Sequence, residues 1–198
     1  MGKAFSNFEL LLSQLQHEHP IAAQVEVNAI SGVLQKMDSR LEFLSGEPNS
    51  ANGRQGAADC RQLAIEELNA LRSRIKEKWG EATTKARARL LEPPQVDDKL
   101  RLNALWRDLS ATRPDPIELA ATWPDMPREL QDAALSSPPI LVKDERGTLT
   151  VRELVDPETR DAAMRQRRPE LALQHDSIAQ TTDALEILLN HASEGIKE

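Results

Sequence analysis

The sequence is poor in aromatic residues and in cysteine. Three Phe, three Trp and no Tyr make up 3% of 198 residues. A core must then come from Leu, Ile, Val, Met and Ala, residues of helix seams more than of strands or ligand pockets. Cys60 is the only cysteine, so no disulfide closes within the chain, which suits a reducing compartment. No stretch approaches eighteen apolar residues, so no membrane-crossing helix is expected. FELLLSQL near the start is short, contains Glu9 and lacks a small-residue cleavage site behind it, unlike a signal peptide. The cytoplasm is the expected location.

Chemical signatures are missing as well. No GxGxxG, P-loop, HExxH, GxSxG or CxxC pattern occurs. The histidines are His17, His19, His175 and His191. His17-Glu18-His19 has the composition of a metal tripeptide. On a helix, however, residues two apart point about 200° away from each other and do not converge on one ion. The sequence therefore reads as non-enzymatic, with no cofactor and no metal, although sites assembled from distant residues leave no local signature.

Positive charge is also short. The formal net charge is −7, against the basic surface that phosphate binding needs. Residues 1–92 are neutral, with twelve basic and twelve acidic side chains; residues 93–198 carry thirteen basic and twenty acidic ones.

What the chain does contain is helical periodicity. Ala23, Val27, Ile30, Leu34, Met37, Leu41 and Leu44 are spaced four, three, four, three, four, three: an unbroken apolar heptad seam. A helix is expected before Pro20, with Phe5, Phe8, Leu12 and Leu15 on one face, and a longer one over about 21–45. Residues 45–56, SGEPNSANGRQG, read as a loop. A second long helix follows over about 57–91, with Ala64, Leu68, Leu71, Ile75, Ala82 and Ala86 along one face. A short connection favours antiparallel neighbours, so the two seams are expected to meet within one chain.

Prolines divide the remainder. Pro93-Pro94 end the second long helix, and short helices are expected over 95–112, after Asp115-Pro116 and after Pro127. ILV and TLTV flanking KDERG fit a β-hairpin over 140–151. They fit equally an extended stretch before a helix capped by Thr150 and Glu153. Asp156-Pro157 open another helix, which Pro169 kinks or restarts, and a final helix runs to about 192. The expected fold is mainly α: a long antiparallel helical hairpin or coiled-coil-like bundle over 1–92, short proline-punctuated helices over 93–156 with either a small hairpin or an extended stretch at 140–151, and a C-terminal helical segment over 157–198.

The final helix has a second seam, Leu171, His175, Ile178, Thr182, Leu185, Leu189 and Ala192, polar at two positions. An association surface tolerates a polar residue that sets register. Leu171, His175, Ile178, Leu185 and Leu189 are therefore candidate contacts to a protein partner or a second copy; the alternative is a terminal helix docked on its own chain. A basic stripe of Arg74, Lys78, Lys85 and Arg89 on the second long helix is a candidate phosphate contact. With Trp79 the only aromatic nearby and an acidic chain overall, it reads more simply as a solvated face. Gly2 followed by Ser6 matches a minimal N-myristoylation pattern, and one acyl chain gives only a marginal anchor. The leading function is assembly or adaptor work through helical packing surfaces; the alternative is a nucleic-acid accessory role for the stripe.

Overall fold

A computed structural model describes residues 3–18, 23–45, 51–94, 99–112, 116–143 and 146–197. The chain is mainly α. Its helices are α1 (Lys3–Glu18), α2 (Gln24–Leu44), α3 (Ala51–Leu90), α4 (Lys99–Thr112), α5 (Pro116–Thr122), α6 (Arg128–Ser136), α7 (Pro157–Arg167) and α8 (Pro169–Lys197). A 3-10 turn, Trp123–Asp125, follows α5, and strands β1 (Ile140–Lys143) and β2 (Leu149–Arg152) precede α7. The chain divides into two compact units, residues 1–86 with 173–198, and residues 87–172.

In the first unit four helices share one core. Phe5 and Phe8 come from α1, and Val27, Ile30, Leu34 and Met37 from the α2 seam. Cys60, Ala64, Leu68 and Ile75 come from α3, and Leu185, Leu188, Leu189, Ala192 and Ile196 from α8. The seam at 23–44 is buried from Ala23 to Met37 and half-buried at Leu41 and Leu44. Three cross-contacts fix the direction of α3 on α2. The Cys60 thiol lies 3.8 Å from the Met37 carbonyl, Lys36 pairs with Glu67 at 2.7 Å, and Lys78 pairs with Glu26 at 2.5 Å. As the α2 number falls the α3 number rises, so the two run antiparallel.

The first turns of α3 correct the sequence reading. Residues 51–56 are helical, although Asn52, Gly53 and Gly56 disfavour helix and suggest a loop. Packing supplies a reason at Gly56: a Cβ there would stand 3.3 Å from Leu44 Cδ2. The bare backbone lets Leu44 close onto α3, and that contact offsets part of the roughly 1 kcal/mol that glycine costs a helix.

The second unit is built from shorter pieces around Leu90, Leu119, Leu135, Leu154, Val155 and Met164. Asp156 caps α7, accepting from the Glu158 and Thr159 backbone N–H groups, with Pro157 at the first helical position. Hydrogen bonds from Thr159 hold the Asp156 carboxyl below the ordinary aspartate range. The strands pair antiparallel, Ile140 opposite Arg152 and Lys143 opposite Leu149, and Gly147 takes φ +81 in the turn. Thr150 thus lies in a strand and caps no helix. Arg168 closes α7 and Pro169 restarts the chain as α8, which runs to Lys197. The expected cap at Asp115 lies outside the described residues.

Candidate interaction surfaces

The final seam is used within its own chain. Leu185, Leu189 and Ala192 are buried in the first unit's core with Leu188 and Ile196. Leu171, His175, Ile178 and Thr182 are half-buried. Leu185 and Leu189, candidate partner contacts from the sequence, thus pack within their own chain, as the alternative of a docked terminal helix has it. The hydroxyls of Thr181 and Thr182 donate back to the carbonyls of Ser177 and Ile178, one turn earlier. A threonine can therefore sit on a packed helix face with its polar group satisfied. His175 Nδ1 lies 3.1 Å from Asp176 Oδ1. The Arg72 guanidinium of α3 donates to Asn190 Oδ1 at 2.8 Å, fastening α8 along α3.

The basic stripe is partly neutralised. Lys78 pairs with Glu26 and Lys85 with Glu81 at 3.0 Å, while Arg74 and Arg89 are exposed. Glu26 is buried in the first turn of α2, where the helix dipole favours a negative charge. Burial pushes its carboxyl up; the hydrogen bond from Lys78, a backbone N–H and the Lys78 charge together outweigh that and hold it below the ordinary glutamate range. The Lys78 ammonium also stands 5.9 Å from the centre of the Trp79 ring, within cation–π range. Trp79, the one aromatic near the stripe, packs half-buried against the first unit's core.

A further run of basic residues, Arg165, Arg167 and Arg168, is engaged inside the second unit. Arg165 pairs with Asp161 at 2.5 Å, and Arg167 pairs with Asp132 and Gln131. Arg168 donates to the carbonyls of Arg89 and Leu90 at 2.9 and 3.3 Å. Those carbonyls end α3, where the helix dipole favours a cation.

Among the described residues no group of three or more His, Cys, Asp and Glu is placed to hold a metal ion. His17 is exposed on α1, while His19 and Gly2 lie outside the described residues. No described helix is long and apolar enough to cross a membrane.

One surface was not singled out by the sequence. At the loop end of the α2–α3 hairpin, an apolar groove of about 450 Å³ opens between the two helices. Arg40, Phe43 and Leu44 line it from α2, three and four residues apart and so on one helical face. Asp59, Cys60 and Leu63 line it from α3 in the same pattern, with bare Gly56 one turn before. Phe43 is 87% exposed and Leu63 48% exposed; Cys60 is buried beneath them. The available signal was Phe43 itself, a large aromatic one residue off a complete seam, pointing where no core position was expected. No known protein family, curated protein or solved structure matches the chain.

Proposed function

We propose that the chain is a non-enzymatic assembly or adaptor protein that works through a helical packing surface in the cytoplasm, where the Cys60 thiol stays reduced. The observation that carries this reading is the groove at the hairpin end. A phenylalanine left 87% exposed beside a half-exposed leucine forgoes roughly 1.5–3 kcal/mol of burial that a partner would recover. The experiment is affinity isolation of the tagged protein from its native source, with Phe43→Ser in parallel. Wild type should retain its bound protein, whether another chain or untagged copies of this one, in stoichiometric amount through a high-salt wash, because apolar contact is not screened as charge is. The Phe43→Ser variant should lose it. Retention by both proteins, or release of nucleic acid alone at high salt, overturns the reading.

A further inference from the structure

We propose that the occupant of the hairpin-end groove is the same groove of a second copy of this chain, paired about a two-fold axis. This deepens, and rests on, the assembly reading above. A two-fold interface is isologous: one patch faces itself, so it must carry both a knob and a hole, and both signs of charge. This patch does. Phe43 projects from the α2 side, and the cleft beside it, lined by Leu44, Cys60 and Leu63, is of a size to receive apolar side chains. Arg40 stands on the α2 wall and Asp59 on the α3 wall. A two-fold axis through the groove sets the α2 of one copy against the α3 of the other. Each Phe43 then enters the partner's cleft, and each Arg40 meets an Asp59, giving two opposite-charge pairs.

A second copy brings an opposite charge to each wall, Asp59 to Arg40 and Arg40 to Asp59, together with an apolar knob for the cleft. The patch is small, below the area of a standard stable interface, so the dimer is expected to form at tens of micromolar and not at nanomolar concentration.

The test is solution mass by sedimentation across about 1 µM to 1 mM, with helicity and unfolding midpoint checked for every variant. Wild type should rise to twice the chain mass within that range. Because Phe43 is exposed, Phe43→Ser should leave the midpoint unchanged and weaken dimerisation at least tenfold. Arg40→Asp and Asp59→Arg should each weaken it alone, since each places like charges across the axis. An equimolar mixture of these two variants should regain wild-type association, because both cross-axis pairs are again opposite in sign. A monomer at 1 mM, a dimer indifferent to Phe43→Ser, or a mixture no stronger than its components overturns the proposal. A monomeric chain that still captures a different protein through Phe43 overturns it too, and leaves the assembly reading standing.

Discussion

At the scale of single residues, the pair of Glu26 and Lys78 shows how much an environment can decide. The sequence makes Lys78 one cation of a stripe; its position opposite a buried carboxylate makes it a fold contact. Lys78→Met leaves Glu26 buried without its partner and is expected to cost about 1–2 kcal/mol, less than for a fully buried pair because Lys78 faces solvent. Adding Glu26→Gln should recover much of that loss, since no buried charge then lacks its counterion. Urea midpoints of the three proteins check this. The pH sign follows from the lowered pKa. A depressed carboxylate contributes stability above its unfolded value of about 4.3, and that contribution fades as pH falls through the folded value. The midpoint difference between wild type and Glu26→Gln should therefore shrink as pH drops below about 4.

At the scale of elements, the heptad seam of α2 was legible because its period is a property of the helix alone. Seven positions at four-three spacing face one side whatever lies opposite. The core occupancy of Ala23, Val27, Ile30, Leu34 and Met37 follows from that. Leu34→Asp places a charge in this core and should lower stability by about 4 kcal/mol or more, read as the loss of a two-state midpoint in thermal or urea unfolding. The start of α3 was not legible, because glycine and asparagine there argue for a loop on propensity. The deciding contact with Leu44 comes from another helix. The far end of α3 makes a parallel point. Arg168 supplies its terminal carbonyls with donors from a residue 78 positions away in sequence. Arg168→Ala should cost about 0.5–1.5 kcal/mol, and Arg168→Lys should restore part of it through charge at the helix end. Amide exchange at residues 87–90 is the local readout.

At the scale of the whole molecule, α8 connects chain order to architecture. It contributes Leu171 and Ala172 to the second unit's core, and Leu185, Leu188, Leu189, Ala192 and Ile196 to the first. Ending the chain at residue 168 removes one of four helices from the first core. The shortened protein should lose exchange protection along α2, and ANS should bind to the uncovered leucines; an intact set of protected α2 amides would show that α8 is dispensable. The sequence by itself determined that the protein is mainly helical, where its prolines divide it, and which α2 residues face inward. Those are consequences of period, propensity and missing backbone donors, all local quantities. Whether the seam of α8 faces outward or inward was decided only by tertiary structure. A leucine at four-three spacing is as suited to a partner as to its own chain, and the choice depends on which apolar face is left uncovered. The same holds for the groove at Phe43. No local pattern sets it, because it exists only where Gly56, Leu44 and Leu63 of two antiparallel helices come together.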